Sequence, residues 1–232
     1  MEIQVEGRPS YPMATIKLAK GESIVVEGSS MLGMGPGLSV ETTFNGAQGG
    51  GMVEWLTAMF VGIVRKYMAG ETMFVNVFKA RTDGAEVMIA PAMVGDLIDI
   101  ELDGKRKVAV QAGSFLASSP TVKQKLIWGG FAMLFSGEGA FFLECSGKGH
   151  LLINAYGGIE EVPIDGEYLI DDGHVVAWEG KLTYQRKSGG GLKATLLSGE
   201  GRLLRFKGKG TVWIQTRNLS SFVQWIAPFF KG

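Results

Sequence analysis

The chain has 232 residues, 46% of them hydrophobic, with 23 basic and 23 acidic side chains and no formal net charge. That hydrophobic content excludes a disordered class, and the neutrality removes any overall pull toward nucleic acid or anionic membrane. The single cysteine, Cys145, excludes an intramolecular disulfide and suits a reducing compartment. No segment reaches the roughly 20 apolar residues that span a bilayer. The acidic start, Met1-Glu2-Ile3-Gln4-Val5-Glu6, does not read as a signal peptide. A cytoplasmic location is expected, with peripheral attachment to a membrane as its variant.

In chain order, most segments alternate with the period of two that marks a strand. Ile16, Leu18 and Ile24-Val25-Val26 flank Gly21-Glu22. After Gly49-Gly50-Gly51 the spacing of Met52, Leu56, Met59, Phe60, Ile63 and Tyr67 predicts a helix over 52–68 that is apolar nearly all round. Strand residues Met73 to Phe78 and Val87-Met88-Ile89 flank Gly84. Leu97 to Leu102 leads into Asp103-Gly104, and Ile159 to Ile164 leads into Asp165-Gly166; both pairs read as hairpin turns, with Glu6-Gly7 as a weaker instance. Gly113 opens Phe115-Leu116-Ala117, and Gly173 opens Val175-Val176-Ala177. Val122 to Phe135 is a second apolar excursion, carrying Trp128 and Phe131. The tail from Ser220 to Phe230 predicts a short helix capped by Ser220 or Ser221 and ended near Pro228.

One pattern recurs. Ser136-Gly137-Glu138-Gly139, an apolar strand, Gly147-Lys148-Gly149 and Leu151-Leu152-Ile153-Asn154 are matched by Ser198-Gly199-Glu200-Gly201, an apolar strand, Gly208-Lys209-Gly210 and Val212-Trp213-Ile214-Gln215. A fainter copy begins at Ala69-Gly70-Glu71-Thr72. Internal self-similarity of this kind speaks to architecture first. It predicts an all-β body, a β-sandwich or double-stranded β-helix-like arrangement of three pseudo-repeats (about 1–92, 93–156 and 157–217). Short apolar helical excursions and a helical tail over 218–232 complete it. No Pro/Ser-rich linker separates the units, so 1–217 is expected as one body.

The residues that carry chemistry are few. His150 and His174 fall at different landmarks of the repeat, each in a predicted turn, and with Cys145 they do not assemble the usual zinc ligand set. No catalytic residues, metal or cofactor is expected, and no small-molecule substrate suggests itself. Glu71, Glu138 and Glu200 either converge near one axis, where carboxylates raise one another's pKa or hold a cation, or sit in solvated turns, the plainer reading. Gly147-Lys148-Gly149 and Gly208-Lys209-Gly210 are not followed by a helix start, so they fail as phosphate loops. From Lys181 to Arg217 there are nine basic residues against Glu200 alone, whereas Gly158 to Asp172 holds six acids and no base. Lys181, Arg186, Lys187, Arg205, Lys207 and Lys209 therefore form a candidate basic face. Such a face suits nucleic acid or lipid head groups, or else is balanced by nearby acids or by an acidic subunit edge.

These landmarks also resemble a known family. Gly95-Asp96, Gly113-Ser114-Phe115-Leu116-Ala117-Ser118, Ser136 to Gly139, Gly173-His174-Val175-Val176-Ala177, and Ser198 to Gly201 through Gln215-Thr216-Arg217 are similar in order and spacing to the altered-inheritance-of-mitochondria (mitochondrial biogenesis) family. Its prokaryotic members resemble the trp RNA-binding attenuation protein in fold. The resemblance implies an all-β body with internal repeats and self-assembly, and it carries over no catalytic residues.

The reading that follows is a non-enzymatic β scaffold that forms a homo-oligomer, with a trimer as the number its pseudo-symmetry suggests. It would bind a protein partner or a membrane surface. Trp55, Met59, Phe60, Ile63, Trp128, Phe131, Trp225 and Phe229 are the candidate contact residues, since large apolar side chains on excursions mark interfaces. Nucleic-acid binding through the basic face is the alternative.

Overall fold

The computed structural model describes residues 1–44, 74–127, 142–187 and 203–230. They form fourteen strands and one α-helix. The strands are β1 (Glu2–Glu6), β2 (Met13–Leu18), β3 (Ser23–Glu27), β4 (Met31–Met34), β5 (Leu38–Phe44), β6 (Phe74–Ala80), β7 (Ala85–Ile89), β8 (Leu97–Gln111), β9 (Phe115–Ser118), β10 (Val122–Ile127), β11 (Phe142–Asn154), β12 (Ile159–Asp171), β13 (Val175–Lys187) and β14 (Leu203–Gln215). The helix is α1 (Leu219–Ile226). The fold is all-β, and among the described residues every pairing between these strands is antiparallel.

Two sheets build the body. The smaller runs β1-β2-β7-β4, and the larger runs β12-β14-β13-β8-β11-β9-β3-β6-β5, with β10 added beside β11. Alternation explains the packing between them. Ala14, Ile16 and Leu18 of β2 and Val87 and Ile89 of β7 face Ile24, Val26, Phe78, Leu116 and Leu152 of the larger sheet in one buried cluster. A second cluster gathers Leu102, Val108, Val110, Cys145, Leu151, Ile153, Val176 and Trp213. A third is aromatic: the Trp178 ring stands edge-on to Phe142 at 4.5 Å between centroids, to Tyr184 at 5.0 Å and to Phe206 at 5.7 Å. At such separations, edge-to-face pairs add to what burial alone contributes.

The predicted hairpins at Asp103-Gly104 and Asp165-Gly166 do not form. Both pairs lie inside unbroken strands, β8 and β12. Gly104 (φ +92°) and Gly166 (φ +116°) bend those strands instead of reversing them. Asp103 stabilises the first bend by accepting hydrogen bonds from the amides of Lys105 and Arg106, both at 2.8 Å. Only the weakest signal, Glu6-Gly7, opens a true reversal, the β1–β2 loop. Gly147-Lys148-Gly149 and Gly208-Lys209-Gly210 likewise sit within β11 and β14, so His150 is a strand residue and not a turn residue. Gly21 lies between β2 and β3, which pair with β7 and β6 much as the two halves of β8 pair with β11. It therefore holds the place of Gly104.

The bends meet in pairs. Gly166 lies directly opposite Gly208, whose φ is +126°. A Cβ at Gly208 would run into the carbonyl oxygen of Lys181, whereas one at Gly166 would meet nothing within 4 Å. The two positions separate conformational strain from steric conflict. Gly166→Ala should cost about 1–2 kcal/mol, the left-handed penalty alone. Gly208→Ala should cost more, about 3 kcal/mol or above, because it adds a backbone clash. Urea unfolding of the two variants measures the difference; equal losses would contradict the steric account.

Candidate functional site

Three surfaces carry the predicted residues or their chemistry. The first is α1. Its cap is Asn218, whose Oδ1 accepts from the amides of Ser220 at 2.9 Å and Ser221 at 3.3 Å. Ser220 and Ser221, expected as caps, are the first-turn donors that Asn218 satisfies. The helix ends at Ile226, and Pro228 stands in the 3₁₀ turn Ala227–Phe230 that follows. Leu219, Phe222, Val223, Trp225, Phe229 and Phe230 are between 38% and 77% exposed, and no residue of α1 is buried. Trp225 stacks at 6.1 Å from Phe222 and 5.7 Å from Phe229, while Phe222 meets the ring of Tyr156 at 6.0 Å. Two predicted contact residues, Trp225 and Phe229, are thus brought together in the open. Trp55, Met59, Phe60, Ile63, Trp128, Phe131, Glu71, Glu138 and Glu200 lie outside the described residues.

The second surface is the basic face. Lys181, Thr183 and Gln185 point outward from β13, while Leu182 and Tyr184 turn inward, as the alternation predicts. β14 lies between β13 and the acidic strand β12, and the charges cross. Lys207 pairs with Glu167 at 2.9 Å, Arg205 reaches the same carboxylate at 3.6 Å, and Lys209 pairs with Asp165 at 3.3 Å. Arg205 also donates to Gln185 at 2.6 Å. These contacts favour the reading in which the basic face is balanced within the chain. Arg186 and Lys187 belong to β13, but their side chains lie outside the description.

The third surface was not legible in the sequence, because its partners are remote along the chain. Arg8 grips the buried Asp96 with two bonds, Nε to Oδ1 at 2.7 Å and Nη2 to Oδ2 at 2.9 Å. The Asp96 carboxylate also accepts from the amides of Leu97 at 2.9 Å and Ile159 at 3.4 Å. Burial works against its charge, yet the Arg8 hydrogen bonds, the amides and the Arg8 charge outweigh it and hold the carboxyl below its ordinary range. Arg106 grips Glu179 in the same forked way, at 2.8 and 2.9 Å. Between the two pairs runs an open-sided groove of about 370 Å³, flanked by Asp99 and Glu101 of β8 and Glu161 of β12, with Trp213 beneath. Trp213 donates its indole N–H to Glu161 at 3.0 Å. His150 Nδ1 lies 2.8 Å from Asp99, whose carboxyl is pushed up by burial despite the imidazole beside it.

Two candidate nucleophiles or ligands are otherwise employed. His174 Nδ1 faces the carbonyl of Gln215 at 2.7 Å, and Gln215 in turn donates to the carbonyl of Gly173. Cys145 is fully buried, and that burial, with the Glu144 charge, pushes its thiol up to about 12. A thiol so placed is a packing residue.

The Asp96 geometry sets a pH dependence. Its folded pKa lies below the ordinary 3.8, so its contribution is complete above that value and is lost as pH falls through the lower folded one. Asp96→Asn should cost on the order of 2 kcal/mol at neutral pH and flatten the acid limb of a plot of urea midpoint against pH. An unchanged acid limb would show that another group governs it.

Comparison with known proteins gives these surfaces a family. The model described as Mitochondrial biogenesis AIM24 matches residues 3–217. An uncharacterized protein of Streptococcus pyogenes serotype M6 is 30% identical over 226 residues, covering 96% of this chain and 88% of that one. The X-ray structure of a Streptococcus pyogenes protein superposes with a TM-score of 0.78 at 25% identity, covering 99% of each chain. With the match spanning nearly every strand and the bacterial relative aligned along its length, the chain belongs to the AIM24 mitochondrial biogenesis family.

Proposed function

We propose that this protein is a non-enzymatic β scaffold that self-associates through the apolar face of α1. The observation that carries the reading is that stripe of six exposed large side chains, four on α1 and two on the 3₁₀ turn that follows it, neither of which has a buried residue. Monomer surfaces seldom leave so much contiguous apolar area uncovered. Residues 219–230 contain no charged side chain, and the polar positions are Ser220, Ser221 and Gln224. Helices that lie in anionic membrane surfaces carry Lys and Arg on the polar face, whereas the centre of a protein interface is depleted of charge. A second copy of the chain therefore suits this face better than lipid does. The aromatic rungs Phe222, Trp225 and Phe229 are the side-chain type that dominates interface energetics. Among the described residues no helix is long and apolar enough to cross a membrane.

Light scattering at micromolar concentration should give a mass above that of one chain. Trp225→Glu with Phe229→Glu should return it to one chain, a loss of at least about 30-fold in self-affinity. Because both side chains are exposed, thermal unfolding of the dissociated variant should stay cooperative. A wild-type mass of one chain would end the proposal. Co-sedimentation of the wild type with neutral or anionic vesicles, abolished by the same changes, would assign the face to lipid instead.

A further inference from the structure

β2 and the first half of β8 occupy comparable settings with one difference. Each is flanked on one side by its antiparallel neighbour, β7 for Ala14–Leu18 and the second half of β11 for Leu97–Asp103. The other side of β2 is covered by β1, paired from Glu2↔Lys17 to Glu6↔Met13. The corresponding side of Leu97–Asp103 has no strand on it among the described residues, since β13 joins β8 only at Val108–Val110. β12 likewise has no strand among the described residues along the edge away from β14. The two open edges start together at the parallel bridge Gly95↔Gly157 and part beyond it. The groove described above, flanked by Ile98 to Glu101 on one side and Ile159 and Glu161 on the other, lies in the gap.

The outward backbone groups can be identified. The Glu101 carbonyl accepts from Arg106 Nη1 at 3.2 Å, and the carbonyl of His150, which sits opposite Glu101, bonds away from β8 to the Ser119 amide. Glu101 and, by alternation, Asp99 therefore present their backbone groups to the groove. On β12 the Ile159 amide points to Asp96, and the Gly158 carbonyl accepts from Thr216 on the far side. Ile159, Glu161 and Pro163 therefore face the groove, and the proline sits on the edge where its missing N–H disturbs no ladder. A run of about four residues at ~3.3 Å each fits the open length.

Charge selects the occupant. Arg8 and Arg106, at the ends, are each neutralised by a carboxylate of their own, Asp96 and Glu179. Three further carboxylates line the groove: Glu101, Glu161, which accepts from the neutral Trp213 indole, and Asp99, which lies 2.8 Å from His150 Nδ1, so acids outnumber bases along it. A second copy of β1 is a poor fit, because it would bring Glu2 and Glu6 against those carboxylates. We propose that the groove between β8 and β12 is a strand-addition site for a basic, extended segment of a partner protein, which lies along the Ile98–Glu101 edge as β1 lies along β2. Main-chain hydrogen bonds supply the affinity in this mode, and alternate side chains supply the selection. Lysines or arginines at every second position would meet Asp99, Glu101 and Glu161.

The test uses a fluorescein-labelled peptide of alternating valine and lysine and reads anisotropy on the full chain. Saturable binding with a Kd on the order of 10–100 μM is expected, and the alternating valine–glutamate peptide should not bind. Two further peptides carry N-methyl groups, one at every valine and one at every lysine. At least one should lose about tenfold or more, since it cannot form the ladder to β8. The double change Glu101→Lys, Glu161→Gln should also lose about tenfold, with cooperative thermal unfolding retained. The Trp225→Glu, Phe229→Glu protein should bind as the wild type does, which separates this site from α1. Absence of saturable binding by the valine–lysine peptide overturns the proposal. So does undiminished binding by both methylated peptides, which would reduce the effect to bulk charge, and the methylated arm requires no altered protein.

Discussion

Long strands that bend at glycine without breaking are the constraint on which the rest of this fold depends. β8, β11, β12 and β14 run for 13 to 15 residues, longer than one flat layer of a domain this size accommodates. Left-handed glycines at 104, 147, 166 and 208 turn each strand partway along. Its two halves can then take different neighbours while the ladder continues. β11 shows the outcome: its first half pairs with β10, its second half with β9, and β8 follows it nearly throughout. The absence of Cβ atoms at these points allows neighbouring carbonyls, such as those of Thr121 and Lys181, to come closer than any other residue permits.

Bending also decides which edges are left open. A strand that changes neighbours at its midpoint leaves half of one side unpaired unless something else covers it. β1 does so for β2, while Arg8 and Arg106 close only the ends of the corresponding stretch beside β8. The charges follow the same geometry. Threading β14 between β12 and β13 places acids of one strand beside bases of the next, which converts an apparent charge asymmetry along the sequence into local ion pairs. Such surface pairs contribute little stability, but they keep the outer face of the sheet electrostatically quiet.

Alternation made the strands legible, because each one buries a single face and the period of two follows directly. The apolar rungs of β2, β7 and the second halves of β11 and β14 could be read residue by residue. The turns were misread for a physical reason. Asp-Gly has the same backbone licence in a hairpin and in a strand bend, and only the pairing of Ile159–Asp171 with Leu203–Gln215 distinguishes them. The amphipathic tail was visible, though its cap was placed two or three residues late, because Asn and Ser are both competent caps. Asp96 stood among the family landmarks, yet nothing local announces that Arg8, 88 positions upstream, is its partner. Ion pairs across such distances, and the groove they bracket, emerge only when the chain is folded.

Cys145 sits on β11, beneath the seam where β8 and β10 flank it, and its sulfur has no exposure. As the sole thiol of the chain, it is a built-in clock for the opening of the core packed over it. A thiol-reactive dye reaches it only when that packing opens, so the labelling rate reports how often the centre of the body loosens under native conditions.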